Sequence, residues 1–275
     1  MNKNSVVARS ALLLLIAFSG PAMSQILGSA SNFAVLGATP NVTNVGATVI
    51  TGSVGVWPAL SITGFPPGQI VPGTGFFHRG NPIAQQAQSD TTTAYNALAA
   101  LVSAPILPAL GGQVLIPGVY NAGAADLTGT LTLNGPGLYV IQVTSLTTAS
   151  GPGAAIVLLT NGATSCDLWW QVGSSATLGT STVFHGNILA LTSITIATSA
   201  TLSGRALARN GTVTMDTNAI TACAGGSGPG FVVPPLAPAP FDGTGVPTLS
   251  QWALLLLVLV LGVGGAAVLR GRAHA

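Results

Sequence analysis

Between residues 25 and 247, the side chains able to do acid–base or ligand chemistry are few. They are five Asp (Asp90, Asp126, Asp167, Asp216, Asp242), three Arg (Arg79, Arg205, Arg209), His78, His185, Cys166 and Cys223. That stretch holds no Lys, and the whole chain holds no Glu. Glycoside hydrolysis needs two carboxylates at a fixed separation, and a metal site needs clustered His, Cys or carboxylate ligands. Here the Asp are scattered and the His isolated, and no phosphate loop, dinucleotide fingerprint or metal-ligand spacing occurs. The reading is of a protein without catalytic residues, cofactor or metal. Threonine recurs instead: Leu131-Thr132-Leu133, Leu146-Thr147-Thr148, Ala176-Thr177-Leu178, Ile194-Thr195-Ile196 and Val213-Thr214-Met215 each place a Thr between apolar residues. On a strand the apolar pair points one way and the Thr the other. Stacked strands turn such Thr into a flat, uncharged ladder, suited to a regular surface.

The elements that must position this ladder occupy the middle of the chain. Thr177, Thr195 and Thr214 are 18 and 19 residues apart, the period of a β-helix with three short sides per turn. Gly186–Leu191 and Gly204–Arg209 read as its other sides. One segment breaks the pattern. Asn81-Pro82 is a cap and first-position pair for a helix, and Ile83, Ala87, Ala94, Leu98 and Leu101 recur at helical spacing. Pro105 and Pro108 end it. A helix over about 82–102 with one apolar stripe is expected along one side of the solenoid. Trp169-Trp170 alternates faces, so one ring belongs in the core and the other outside it, under the helix or as a sugar platform.

The ends carry addresses. Lys3 and Arg9, then the apolar Ala11–Phe18 and the small residues of Pro21-Ala22-Met23-Ser24, form a signal peptide over 1–24, with Gln25 as the mature start. Residues 25–223 make one domain, and residues 224–245 a Gly/Pro-rich linker. Val246-Pro247-Thr248-Leu249-Ser250-Gln251-Trp252 follows, then seventeen apolar or glycine residues over 253–269, then Arg270-Gly271-Arg272. Trp before and Arg after are the flanks of a transmembrane helix. The order of motif, helix and basic cluster resembles the bacterial IPTL-type C-terminal sorting signal, which implies membrane association through that helix and a cell-surface or extracellular fate. The formal charge of +2 belongs to these ends, since three Arg against five Asp leave the middle at −2. Nothing points to nucleic acid.

A longer resemblance covers Leu27 to Cys223. The runs LGSASNFAVLGA, NVGATVITGSVGV, ITGFPPG, AQSDTTTAYNALA, IPGVY, LTGTLTLNGPGLYVIQV, LTTASG, WWQVGSSATLGTSTVFHGNILALTSIT and LSGRALARNGTVT follow one order. That order resembles the microbial ice-binding proteins. The resemblance implies a mainly β fold, a right-handed discontinuous β-solenoid of triangular section with one long α-helix alongside. It also implies that the N-terminal strands close the stack out of sequence order. The partner implied is the ice crystal surface, met by a monomer.

Ice contact suits an uncharged face. Charges hold water in radial shells, whereas hydroxyls and methyls on a rigid ladder hold it in a flat array. Strand spacing of about 4.8 Å and alternate-residue spacing of about 6.5–7 Å lie near ice repeats. The expected face is the column Thr132, Thr147, Thr177, Thr195, Thr214, with a neighbouring row of Thr180, Thr198 and Thr217. The family's four-residue pattern of Thr, Ala or Gly, any residue, Thr or Asn is met only loosely. Thr198-Ser199-Ala200-Thr201 keeps both ends, which adds Thr201, and Thr148-Ala149-Ser150-Gly151 keeps the start. The alternative is a surface adhesin or structural module on the same solenoid. Cys166 and Cys223, the only cysteines of an exported chain, are a possible disulfide. Two buried thiols too far apart to bond is the other reading.

Overall fold

The computed structural model describes residues 26–223. The expected signal peptide, linker, sorting signal and transmembrane helix lie outside the described residues, as does Asp242. Before the helix come β1 (Phe33–Gly37), β2 (Val42–Val45), β3 (Val49–Thr51), β4 (Ser53–Val56), β5 (Ile62–Thr63), β6 (Gln69–Ile70) and β7 (Phe77–Arg79). The helix α1 spans Pro82–Ala99. After it come β8 (Ala104–Pro105), β9 (Val114–Leu115), β10 (Gly118–Leu127), β11 (Gly129–Asn134), β12 (Tyr139–Thr148), β13 (Ala155–Thr160) and β14 (Leu168–Val172). The last are β15 (Ala176–Leu178), β16 (Val183–Ala190), β17 (Ile194–Ile196), β18 (Thr201–Ala208), β19 (Val213–Asp216) and β20 (Ala219–Thr221).

All pairings are parallel and fall into three columns. The first runs β8, β10, β12, β14, β16, β18, β1, β4, β7. The second runs β10, β12, β15, β17, β19, β2, β5. The third runs β9, β11, β13, β16, β18, β20, β3, β6. The long strands β10, β12, β16 and β18 each turn a corner and serve two columns. At the seam, β1, β2 and β3 stack on β18, β19 and β20, so the N-terminal coil closes onto the last coil. Sequence order is broken there.

That break explains the helix. Strand β7 ends the first column at one extremity and β8 begins it at the other. Eight steps of about 4.8 Å make about 38 Å to recross. At about 1.5 Å per residue the helix covers about 27 Å of it, and the flanking turns the rest. Asn81 caps it, its side chain accepting from Ala84 N at 3.0 Å, with Pro82 in the first turn. Its buried stripe is Ala84, Ala87, Gln88, Thr91, Ala94, Tyr95 and Leu98. Ile83, expected in that stripe, is 53% exposed. It sits one residue off the 3.6-residue period that runs through Ala84 and Ala87. Leu101 lies beyond the helix end and is half-buried.

The stripe covers Leu36, Leu207, Leu189, Trp169 and Val140 on the outer side of the first column. Those strands are therefore buried on both sides, and β1 and β14 have no exposed residue, which is why they read as continuous apolar runs. Two glutamines fasten the helix. Gln88 Nε2 donates to Gly37 O and Ala208 O at 2.9 and 3.0 Å. Gln142 Nε2 donates to Leu98 O and Leu101 O at 2.8 and 2.9 Å, satisfying carbonyls at the helix end. Trp170 packs in the core 5.0 Å from the Phe184 ring. Trp169 lies under the helix at 3% exposure, so neither ring offers a sugar platform.

Candidate functional site

On the second column β15, β17 and β19 repeat one pattern, two apolar side chains into the core and a hydroxyl outward, and β12, β2 and β5 also turn a Thr outward. The register aligns Thr147 with Thr177, Thr177 with Thr195, Thr195 with Thr214, Thr214 with Thr43 and Thr43 with Thr63. Six threonines thus form one file, with Asp126 at its head beside Thr147. At about 4.8 Å per strand the file is about 24 Å long. The flanking Leu146, Ala176, Ile194, Ile196, Val213 and Met215 are at most 1% exposed, so the strand cannot roll its Thr inward. Thr63 approaches Thr43 at 3.5 Å. The hydroxyls of Thr147, Thr177, Thr195 and Thr214 have no hydrogen-bond partner among the described residues and are open to water.

Two residues earlier on each strand stands a second file: Ser145, Ser175, Ser193, Thr212, Asn41 and Ser61. It lies about 6.5–7 Å across the face. Several of its hydroxyls are tied down. Ser175 Oγ and Thr192 Oγ1 are 2.7 Å apart, Ser193 Oγ accepts from Thr212 N at 3.3 Å, and Thr212 Oγ1 donates to Asn41 O at 2.7 Å. A file with four free hydroxyls therefore runs beside one in which Ser175, Ser193 and Thr212 are held by hydrogen bonds.

The expected residues divide among three places. Thr147, Thr177, Thr195 and Thr214 share the file. Thr132 points outward as its apolar neighbours required, but on the third column, paired with Val114 and Leu158. It is 15 residues before Thr147, less than one coil. Thr201 is also on the third column, in a row with Thr130, Ile156, Val183, Ala219 and Val49, where apolar and hydroxyl groups mix. Thr180, Thr198 and Thr217 lie at the corner between the two columns and do not form one row. Ser181, Ser199 and Thr217 share the positive-φ place, at 59°, 63° and 51°. The partner of Thr198 is therefore Asp216, because the last coil has one residue fewer at this corner. Thr198 Oγ1 donates to Asp216 Oδ2 at 2.5 Å and Thr217 Oγ1 to Asp216 Oδ1 at 2.9 Å. These bonds, that of Thr198 first, hold the Asp216 carboxyl below its ordinary value. Thr43 and Thr63 escaped sequence reasoning because Val42-Thr43-Asn44 and Ile62-Thr63-Gly64 have an apolar residue on one side only and because they enter the file through the out-of-order coils.

The other ionisable groups serve the fold. Asp90 accepts from Ser29 N and Oγ, both at 2.7 Å, and from Gln86 at 2.9 Å. Asp126 accepts from Thr128, and Asp167 from Thr164. His78 Nδ1 meets Asn81 at 3.2 Å, while His185 Nδ1 is buried without a partner. Burial lowers both histidines. Among the described residues no three His, Cys, Asp or Glu come together as a metal site, and no helix is long and apolar enough to cross a membrane.

This geometry has known counterparts. The family model described as ice-binding-like matches residues 36–221, and that of the IPTL-CTERM motif matches residues 244–273. An ice-binding protein of Nostoc sp. (strain HG1) is 47% identical over 225 residues, covering 76% of this chain and 81% of that one. The crystal structure of an ice-binding protein from the Antarctic ascomycete Antarctomyces psychrotrophicus superposes with a TM-score of 0.67 at 40% identity, over 72% of this chain and 98% of that one. An ice-binding protein from an Antarctic biological consortium gives 0.67 at 42% identity, over 79% and 96%. The chain belongs to the ice-binding-like family.

Proposed function

We propose that the protein is an exported ice-binding protein that adsorbs through the second-column face. The observation that carries this reading is the file of six threonines in strand register, four of them with free hydroxyls. Each Thr offers one hydroxyl and one methyl, with few rotamers because of its branched Cβ. The core beneath fixes their spacing, so little ordering remains to be met at the ice surface. No charge interrupts the file between Thr147 and Thr63, whereas Asp126 and Asp216 stand at its end and its corner.

The remainder of the reading concerns handedness and the chain ends. The solenoid is right-handed and triangular in section, with the helix on the side away from ice. Residues 1–24 direct export, residues 224–245 are a spacer, and residues 246–275 are a sorting signal whose segment 253–269 enters the membrane before processing. The domain works as a monomer without cofactor, metal or catalytic step. Support for export comes from the IPTL-CTERM match and the composition of the ends.

The test is the shape and growth of a seed ice crystal in a solution of the protein. Adsorption gives a faceted crystal and a gap between melting and freezing temperatures. A round crystal growing at the melting point would leave a surface module without ice affinity as the reading that stands.

A further inference from the structure

The corner between the third and first columns holds groups that ice contact does not use. Gly186 and Gly204 turn this corner with φ of 104° and 152°, and a Cβ on Gly204 would come within 1.9 Å of Gly186 O. Without side chains, these glycines allow the close approach of successive coils at this corner. Arg205 lies beside it, 6% exposed. Its guanidinium donates to Ser31 O from Nε and Nη2, at 3.2 and 2.8 Å, to Asn187 Oδ1 from Nη1 at 2.9 Å, and to Cys223 O from Nη2 at 2.7 Å. Asn187 Nδ2 donates in turn to Cys166 O and Leu168 O, at 3.2 and 3.3 Å. One network therefore grips the N-terminal coil at Ser31, the carboxyl end of the described chain at Cys223, and the turn before β14 at Cys166. Through Arg205 and Asn187 it brings the two cysteines, both half-buried, to the same corner.

We propose that Cys166 and Cys223 form a disulfide that staples the coils from β14 to β20, beside the seam where the N-terminal coil stacks on the last one. Cys166 precedes the coil that begins at β14, and Cys223 follows the coil that ends at β20, so the bond would span the coils between them. Cys223 also lines an open cleft of about 520 Å³ with Phe33, Phe76 and His78, which gives an external reagent access. It is the better nucleophile: the neighbouring Cys166 side chain, then Ser165 and Arg205, draw its thiol below the ordinary value despite burial. The oxidant is an external disulfide, small or protein-borne, of the kind met outside the cytoplasm. The Cys223 thiolate attacks one of its sulfurs, forms a mixed disulfide and expels one thiolate. Cys166 then loses its proton to solvent, attacks Sγ of Cys223 and expels the second. Two protein thiols are oxidised and one external disulfide is reduced to two thiols.

The test uses the full chain exported to an oxidising compartment. Free thiols are alkylated under denaturing conditions with and without prior reduction, intact masses are compared, and melting is followed with and without reductant. Both cysteines should resist alkylation until reduced. Closing a loop of about 57 residues should make reduction lower the melting temperature by roughly 10 °C. Cys166→Ser and Cys223→Ser should each melt independently of reductant. If either variant fails to fold, the parent with and without reductant still decides. Alkylation of both thiols without reduction overturns the proposal, as does a disulfide whose reduction leaves melting unchanged.

Discussion

Thr195→Tyr tests the proposed face at its centre. Thr195 is third in the file, between Thr177 and Thr214, and the second-file residues Ser175 and Ser193 lie alongside. From bond lengths, a Tyr ring stands roughly 5 Å farther from the strand than the Thr it replaces, about one strand spacing. A flat lattice cannot then touch Thr177 or Thr214, and the file is left with Thr147 at one end and Thr43 and Thr63 at the other. The fold should hardly notice. Ile194 and Ile196 keep their places in the core at 0% and 1% exposure, and Tyr suits a strand. A surface change of this kind costs about 0.5 kcal/mol or less, or about 1–2 °C in melting temperature for a domain of this size. The assay is thermal hysteresis by nanolitre osmometry beside a melting curve. Most of the hysteresis should vanish while melting is nearly unchanged. Two controls carry the same ring elsewhere: Thr93→Tyr on the exposed side of the helix and Ala219→Tyr on the third column. Both should keep their activity. Full hysteresis in Thr195→Tyr with loss in Ala219→Tyr would place ice contact on the third column and refute the assignment.

Ala94→Asp, at a position with no exposure beneath the helix, puts a carboxylate into an apolar contact and should destabilise the domain by several kcal/mol; an unchanged melting point would mean that the helix does not bury this stripe. Asp216 makes acid sensitivity local. Its carboxyl is held low by Thr198 and Thr217, so its contribution to stability is present above the ordinary carboxylate value and is lost as pH falls through the lowered one. Asp216→Asn should therefore show a smaller fall in melting temperature on acidification than the parent, and parallel curves for the two would remove Asp216 from the account.

Much of this molecule was legible because two periodicities coexist in the chain. The 18- and 19-residue spacing of Thr177, Thr195 and Thr214 exposes the coil length, and the helical spacing of Ala87, Ala94 and Leu98 exposes the element that breaks it. What stayed hidden depended on topology. Thr43 and Thr63 join the file only because β2 stacks on β19, a pairing that no local pattern encodes. Thr132 was misplaced because every outward Thr between apolar residues looks alike, whichever side of the coil it occupies. Thr217 was misplaced because one residue is missing at a corner, which moves Asp216 into the row of Thr198. Ile83 shows the limit of a stripe read from apolar residues alone: the buried face is lined by small Ala84, which lets the helix approach closely, by Gln88, which hydrogen-bonds the strands, and by Thr91, which bonds back to Ala87 O of its own helix.

The most direct measurement is the partition of the purified protein between a slowly growing ice hemisphere and the remaining liquid, beside a globular protein of similar size without ice affinity. A surface that adsorbs to ice is overgrown and retained, so the protein should be concentrated in the ice while the control is expelled into the liquid. Equal exclusion of both proteins would contradict ice binding and leave the threonine file as an exposed face of a structural module.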